Sequence, residues 1–271
     1  MHWNLDHRAE TDAGTVAWGR TGSGPALVLA HGWPWSSWCW HRVIPDLADH
    51  FSVYWYDMPG FGRSMVDTSQ DTSLGTQGRV FAEMLGFWGL DAPAIWAHDF
   101  GGAVSLRARL LHGASCGPHL LMNVVAMRPW GSAFFDHVGR HVDAFLGLPD
   151  HIHAAVVEAY IRGALVGDLD ASSVETLCKP WLSDQGKAAF YAQFAQADER
   201  YTAEIEPDYG TLGGRVQVLW GADDPWIPLE RGQALAAAIR CGIETLPGLG
   251  HLAQLEDPER ALAGAQRFFL S

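Results

Sequence analysis

The sequence Ala97-His98-Asp99-Phe100-Gly101-Gly102 lies between a short apolar run, 94–96, and a helical pattern, 103–111. A strand, a sharp turn and a helix in this order, with small residues around the turn, predict an elbow that holds one side chain at its tip. Asp99 is the residue at the tip, where most such elbows have serine. The Asp99 elbow therefore indicates both a fold, in which strands lead into helices, and a reactive carboxylate.

Strand-length apolar runs and helical patterns alternate along the rest of the chain, which predicts an α/β fold with a mostly parallel sheet and helices on both faces. The predicted strands are 15–19, 26–30, 52–56, 94–97, 120–126, 215–220 and 243–246, and the helices between them are 76–89, 101–112, 228–239 and 258–269. Only helical patterns occur between 132 and 213, for example 151–165 and 187–197. We therefore expect one core domain, 1–131 and 214–271, and an inserted helical lid, 132–213.

Composition excludes several classes of partner. With 18 basic and 31 acidic residues among 271, the net charge of −13 disfavours nucleic acid and anionic membrane surfaces. No apolar stretch approaches the roughly 18 residues of a membrane span, and the start of the chain, 1–6, lacks the pattern of a signal peptide. The four cysteines are far apart and lack metal-ligand spacing. We expect a cytoplasmic monomer or homodimer without a metal or organic cofactor.

Three further motifs follow predicted strands: His31-Gly32-Trp33-Pro34, Trp220-Gly221-Ala222-Asp223-Asp224-Pro225 and Pro247-Gly248-Leu249-Gly250-His251. Because the carboxyl ends of parallel strands meet at one edge of a sheet, we expect these motifs to surround the elbow. A carboxylate at the elbow attacks an sp³ carbon that bears a leaving group and forms an alkyl ester on the enzyme.

The roles of the site residues follow from their chemical groups. Asp99 displaces the leaving group, His251 activates water to cleave the ester, and Asp224 orients His251. Asp223 competes with Asp224 for the last role. The backbone amides of Trp33 and Phe100 are expected to form an oxyanion hole.

Each motif also has a purely structural interpretation. Asp99 could cap the helix that follows it, and His251 could be a surface histidine. His98 is expected to point away from the site. His151 and His153 have the spacing of zinc ligands but lack a surrounding set of cysteines or carboxylates, so we interpret them as lid surface.

Along nearly all its length the chain resembles the α/β-hydrolase superfamily. The aspartate at the elbow, together with the stretches 31–41 and 57–64, resembles epoxide hydrolases and the haloalkane and fluoroacetate dehalogenases. The resemblance implies an α/β-hydrolase fold with a helical cap, an aspartate nucleophile and no cofactor.

Departures from these relatives separate the possible substrates. Phe100 stands where haloalkane dehalogenases have a halide-binding tryptophan, and Phe100 and Ala103 replace two carboxylate-binding arginines of fluoroacetate dehalogenases. An anionic haloacid is thus disfavoured as a substrate, unless Arg128 binds its carboxylate in place of those arginines. Epoxide hydrolases use two lid tyrosines as ring-opening acids, and Tyr160 and Tyr191 match their placing on helical patterns.

We therefore expect an epoxide hydrolase that acts on a small, apolar, uncharged substrate. Its predicted binding residues are Tyr160, Tyr191, Trp33 and His31. One alternative is carbon–halogen cleavage by a haloalkane-type dehalogenase. Another is a cofactor-free lyase or oxygenase, or a ligand-binding protein, on the same fold.

Overall fold

An eight-stranded sheet runs through the computed structural model, which describes residues 3–271. Met1 and His2, where the predicted core domain begins, lie outside the described residues. The strands are β1 (His7–Thr11), β2 (Gly14–Thr21), β3 (Ala26–Ala30), β4 (Ser52–Tyr56), β5 (Ala94–Asp99), β6 (His119–Val124), β7 (Val216–Gly221) and β8 (Gly242–Leu246). Their order is β1-β2-β4-β3-β5-β6-β7-β8. β2 pairs antiparallel with both β1 and β4, and all other pairs are parallel.

Helices connect the strands and cover the sheet. They are α1 (Ile44–Leu47), α2 (Leu74–Phe87), α3 (Phe100–Leu111), α4 (Ala133–Arg140), α5 (Val142–Leu146), α6 (Asp150–Arg162), α7 (Ala171–Cys178), α8 (Asp184–Gln196), α9 (Arg200–Ala203), α10 (Leu229–Ile239), α11 (Ala253–Glu256) and α12 (Pro258–Phe269). Short 3₁₀ turns occur at Ser37–Trp40, Lys179–Trp181 and Glu206–Thr211. None of the helices within residues 3–271 has the length and apolar character needed to cross a membrane.

The predicted α/β fold is confirmed, and the seven predicted strands and four core helices end within two residues of their predicted bounds. β4, β5 and β6 are buried along their whole length. Because parallel strands covered on both faces bury every side chain, their sequences are continuous apolar runs. These strands are therefore evident in the sequence. The edge strand β1 was not predicted. It pairs on one side only and buries Ala9 alone, so it has no apolar run.

The segment between β6 and β7 contains helices only in the described structure, as expected for 132–213. It is attached to the core through Arg107 of α3, a buried side chain that donates hydrogen bonds to the carbonyl of Tyr201 at 2.6 Å and the carboxylate of Glu204 at 2.8 Å. Phe190 and Phe194 of α8 pack on the ring of Trp33, with centroid distances of 4.8 Å and 5.1 Å. These contacts place the helical segment above the carboxyl ends of β3 and β5.

Candidate active site

Asp99 ends β5 in a strained backbone conformation, with φ 52° and ψ −124°. Such a conformation is rare for a residue with a side chain, and strain of this kind clusters at functional sites. Close packing around the turn leaves no room for side chains at positions 101 and 102. A Cβ atom on Gly101 would lie 2.3 Å from the carbonyl oxygen of Ala30, and one on Gly102 would lie 2.3 Å from Cβ of Val124. The turn therefore has the geometry of a nucleophile elbow.

The loop after β3 supplies a donor to the Asp99 carboxylate. The backbone N–H of Trp33 donates to Oδ1 of Asp99 at 2.6 Å. Gly32 makes this approach possible, because a Cβ there would lie 2.1 Å from the same oxygen. Within residues 3–271 the Phe100 amide, the first of α3, adds no hydrogen bond to this carboxylate. One of the two expected oxyanion-hole amides thus contacts Asp99 in the resting site.

His251, five residues after the end of β8, joins the two carboxylates. Its Nδ1–H donates to Oδ2 of Asp224 at 2.8 Å, and its Nε2 lies 3.2 Å from Oδ2 of Asp99. All three side chains are buried. Asp223 is exposed instead, and its Oδ2 accepts the backbone N–H of Gly248 at 2.6 Å. The structure thus brings Asp99, His251 and Asp224 together and leaves Asp223 in a turn.

The Asp224 carboxylate is held by three donors besides His251. Oδ1 accepts the backbone N–H groups of Trp226 at 2.8 Å and Ile227 at 2.9 Å, and Oδ2 accepts Nδ2 of Asn123 at 2.7 Å. Asn123 also binds the N–H of Gly221 at 2.8 Å through its own Oδ1. Asn123 was not among the predicted site residues. Its signal in the sequence is a polar side chain within the apolar run 120–126. In the structure its backbone has φ 46°.

Burial and charge oppose each other at His251. Burial alone would lower the pKa of this histidine, but the carboxylates of Asp224 and Asp99 outweigh it and raise that pKa to about 10. Burial would likewise raise the pKa of Asp224, yet His251 and the hydrogen bonds from Ile227 and Asn123 lower it below its usual value. In the resting site His251 is therefore an imidazolium between two carboxylates.

His98 lies next to the group formed by Asp99, His251 and Asp224 but is not part of it. Its side chain is fully buried, and its Nε2–H donates to the backbone carbonyl of His251 at 2.8 Å. Burial lowers the pKa of His98 to about 3, so the ring is neutral at ordinary pH. His98 therefore supports the backbone at His251, in line with the structural role expected for it.

A cavity of about 310 Å³ opens in front of Asp99. It is lined by Trp33, Asp99, Phe100, Val125, Pro129, Trp130, Gly131, Ser132, Phe135, Tyr160, Trp226, Ile227, Pro228 and Arg231. Most of these side chains are aromatic or aliphatic, as in sites that bind small molecules. Trp33 lines this cavity, while Trp40 packs on Trp96 in the core at a centroid distance of 5.0 Å.

Tyr160 of α6 is the tyrosine that lines the cavity. Its ring packs on Trp226 at a centroid distance of 4.6 Å. Burial raises the pKa of Tyr160 well above its usual value, with the indole of Trp33 acting weakly in the opposite direction. The hydroxyl therefore keeps its proton over the whole neutral range and can donate it to a substrate.

Two predicted substrate contacts are engaged elsewhere. The hydroxyl of Tyr191 donates to Nδ1 of His153 at 2.9 Å, and Nε2–H of His153 donates to the carbonyl of Trp181 at 2.9 Å. His31 is fully buried; its Nδ1–H donates to the carbonyl of Gly32 at 3.0 Å, and its Nε2 accepts the N–H of Met58 at 2.9 Å. The structure corrects both expectations, because neither residue lines the cavity and neither has a free polar atom directed at it.

The expected lid-surface role of His151 and His153 needs a partial correction. His151 is exposed, but His153 is buried within the helical segment. In the part of the chain that the structure describes, no group of three or more histidine, cysteine or acidic side chains could hold a metal ion.

Comparisons with known proteins agree with this fold. The family model of the alpha/beta hydrolase family matches residues 27–265. The crystal structure of an alpha/beta hydrolase fold protein from Burkholderia ambifaria superposes with a TM-score of 0.94 at 40% identity, covering 98% of this chain and 99% of that one. A fluoroacetate dehalogenase from a Burkholderia species is 27% identical over 217 residues, 72% of this chain and 69% of that protein. A soluble epoxide hydrolase from Corynebacterium sp. (strain C12) is 35% identical over 103 residues, 36% of this chain and 34% of that protein. The chain belongs to the alpha/beta hydrolase family and is an enzyme.

Proposed function

We propose that this enzyme opens a small epoxide to a diol through a covalent alkyl ester on Asp99. The observation that carries the proposal is the carboxylate arrangement at the elbow. Oδ1 of Asp99 is bound by the Trp33 amide, and Oδ2 of the same carboxylate lies beside His251 and the cavity that Tyr160 lines. A nucleophile and a proton donor thus line one cavity, and a water-activating base lies 3.2 Å from the nucleophile.

In the first step, Oδ2 of Asp99 attacks a ring carbon of the epoxide. A C–O bond forms to the carboxylate while the ring C–O bond breaks, and its electron pair moves to the ring oxygen. That oxygen takes the proton of the Tyr160 hydroxyl, because an alkoxide is a stronger base than a phenolate. The products of this step are a hydroxyalkyl ester on Asp99 and a phenolate at Tyr160.

In the second step, His251 removes a proton from a water molecule that attacks Cγ of the ester. Negative charge develops on Oδ1, where the Trp33 N–H stabilises it. The ester C–O bond then breaks, and the departing diol oxygen takes the proton from His251. The carboxylic acid of Asp99 ionises, and the proton it releases restores Tyr160. The sum of both steps is epoxide plus water to diol.

The charge change on Asp99 explains how His251 becomes a base. In the resting site two carboxylates raise the pKa of His251 to about 10, so the ring holds a second proton. Esterification removes the negative charge that lies 3.2 Å from Nε2. The pKa of His251 then falls, and the ring releases its second proton to solvent before the water attacks. It takes a proton back from solvent once Asp99 is a carboxylate again. The covalent step thus switches on the hydrolytic step.

Carbon–halogen cleavage is the second candidate, and the similarity to a fluoroacetate dehalogenase favours it. The same Asp99 chemistry applies, with halide as the leaving group. A halide needs N–H or O–H donors in the cavity, and Phe100 supplies no side-chain donor where haloalkane dehalogenases have tryptophan. The Tyr160 hydroxyl donates its proton directly to the ring oxygen of an epoxide, so we propose an epoxide rather than a haloalkane as the substrate.

Intact-protein mass spectrometry of His251→Gln tests the proposal. This variant, incubated with a panel of epoxides and haloalkanes, is expected to stop at the ester and to gain the full mass of an epoxide. A gain equal to a haloalkane minus hydrogen halide would instead establish the second candidate. Asp99→Asn serves as the control, since it should form no adduct with any compound.

Single turnover of the unmodified enzyme in H₂¹⁸O gives an independent readout. Water attacks Cγ of the ester in the proposed mechanism, so the first turnover places ¹⁸O in Asp99 and leaves the diol unlabelled. Label in the diol after one turnover would show direct attack by water. That result, together with the absence of an adduct on His251→Gln, would overturn the covalent mechanism.

A further inference from the structure

Arg231 is the one basic side chain among the residues that line the catalytic cavity. It belongs to the first turn of α10, and its Nη1 donates to the backbone carbonyl of Arg128 at 2.9 Å. That carbonyl precedes the wall segment Pro129-Trp130-Gly131, which lines the same cavity. The guanidinium is therefore anchored to the cavity wall through one nitrogen, and no carboxylate of residues 3–271 forms an ion pair with it.

Helix stability does not explain this position. A cation in the first turn of a helix is opposed by the helix dipole, which favours acidic side chains there. Arg231 makes its backbone hydrogen bond to Pro228 in that turn, at 2.8 Å. The arginine thus occupies a place where a neutral or acidic residue would stabilise α10 better.

Arg128, which the sequence analysis considered as an anion-binding residue, is engaged elsewhere. Its guanidinium binds both carboxylate oxygens of Glu206, at 3.2–3.3 Å, and does not line the cavity. The two arginines therefore differ in whether an acidic side chain already occupies the guanidinium. Arg128 is neutralised by a neighbouring acid, and Arg231 faces the cavity without one.

We propose that Arg231 binds a carboxylate of the substrate, so that the substrate is an apolar chain with a carboxylate as well as the reactive carbon. Nε and Nη2 of Arg231 remain available, and a guanidinium recognises a carboxylate through paired N–H donors. The inference rests on the proposed function for the reactive carbon, which Asp99 attacks. It replaces the uncharged substrate that the sequence predicted.

The charges of the site are compatible with an anion. With His251 protonated, the pair of Asp99 and Asp224 leaves a net charge of −1, and Arg231 brings the cavity to neutrality. Among the residues that line the cavity, Arg231 is the one cation, and it forms no ion pair within residues 3–271, so a carboxylate bound there meets an unpaired positive charge. The aromatic walls then hold the apolar part of the chain.

Calorimetric binding of unreactive ligands tests Arg231 without any turnover. Straight-chain monocarboxylates from propanoate to octanoate are titrated into the unmodified enzyme beside the matching primary amides. We expect at least one carboxylate to bind at least tenfold more tightly than its amide. Arg231→Gln should abolish that preference, and Arg231→Lys should retain part of it. Arg140→Gln, the same charge change at an exposed position of α4, should leave it intact. Equal binding of acids and amides would overturn the inference.

Turnover separates this inference from the proposed function. Two terminal epoxides with the chain length that binds most tightly in calorimetry are compared, one carrying a carboxylate and the other the matching amide. The carboxylate should have the higher kcat/KM. In Arg231→Gln this advantage should disappear, mainly through a higher KM for the carboxylate. Hydrolysis of both epoxides at equal kcat/KM would overturn the role of Arg231 and keep the epoxide activity. Tight carboxylate binding without turnover of any epoxide would keep Arg231 and overturn the epoxide activity.

Discussion

Nε2 of His251 lies 3.2 Å from Oδ2 of Asp99, so the charge on Asp99 affects the protonation of His251. Asp99→Asn removes that negative charge, and the protonated ring loses one of its two stabilising carboxylates. We expect the pKa of His251 to fall by about 1–3, the usual effect of an adjacent opposite charge. NMR titration of histidine-labelled protein measures this change.

His119, whose ring contacts Oγ of Ser105, provides the internal reference for that titration. Burial lowers the pKa of His119 to about 3, so its resonances should stay constant between pH 5 and 9 in both proteins. An unchanged His251 titration in Asp99→Asn would mean that Asp224 alone sets the charge of the ring. The switch from imidazolium to base on esterification would then lack its cause.

The two adjacent acids after β7 should differ sharply when each is replaced. Asp224→Asn leaves Nδ1 of His251 opposite an amide and disturbs its tautomer, so we expect hydrolysis of the ester to slow by about 10²–10⁴-fold. Asp223→Asn changes a turn contact to Gly248 and should leave turnover within about threefold. Rapid-quench mass spectrometry checks both, because the Asp99 ester should accumulate in Asp224→Asn alone. Similar losses in both variants would contradict the assignment.

The local part of this site is predictable from sequence because short motifs encode it. Asp99 stands in a strand–turn–helix context with small neighbours, and Trp33 and His251 follow apolar runs that read as strands. Parallel strands end at one edge, so the order of the motifs along the chain is enough to bring these residues together. The choice of Asp224 over Asp223 needed only its place directly before Pro225.

Contacts between distant elements are not predictable in this way. Tyr160 and Tyr191 have equivalent helical patterns, and only the packing of α6 and α8 decides that one lines the cavity and the other binds His153. Asn123 of β6 contacts Asp224 in the loop after β7, and Arg231 of α10 contacts the backbone carbonyl of Arg128 in the loop after β6. Long-range packing of this kind leaves no periodicity or spacing in the sequence.

Tyr160 and Tyr191 form a matched pair of test positions. Tyr160→Phe removes the proton donor to the ring oxygen, so we expect formation of the Asp99 ester from an epoxide to slow by about 10²–10⁴-fold. Tyr191→Phe should leave that rate within about threefold. It should instead lower the free energy of unfolding by about 1–3 kcal/mol, because Nδ1 of buried His153 loses its donor.

Stopped-flow tryptophan fluorescence follows ester formation, and urea denaturation gives the stabilities. A large rate loss in Tyr191→Phe, or none in Tyr160→Phe, would contradict the assignment of the proton donor. Haloalkanes add a further contrast. A departing halide accepts a hydrogen bond but no proton, so a loss confined to epoxides would tie Tyr160 to ring opening.

Two buried histidines should make the protein less stable in acid. Burial lowers the pKa of both His98 and His119 to about 3, below the usual value of 6.5. The unfolded chain therefore binds protons that the folded chain excludes once the pH falls below 6.5. Each histidine should lower the free energy of unfolding by about 2 kcal/mol between pH 8 and pH 5.

His251 changes stability in the opposite direction over the same range. Its folded pKa of about 10 lies above 6.5, so its contribution is complete below pH 6.5 and is lost as the pH rises through 10. Between pH 8 and pH 5, His251 raises the free energy of unfolding by about 2 kcal/mol. Because His98 and His119 each lower it by about 2 kcal/mol, the three histidines together lower it by about 2 kcal/mol.

His119→Gln isolates one of these contributions by urea denaturation at pH 8 and pH 5. The variant loses the contact between its imidazole and Oγ of Ser105, so it should be less stable at pH 8. Its stability should nevertheless fall by about 2 kcal/mol less than that of the unmodified enzyme on going to pH 5, because glutamine does not titrate. His50→Gln, at an exposed position, is the control. An acid dependence of His119→Gln equal to that of the unmodified enzyme would show that the folded protein accommodates a charged His119.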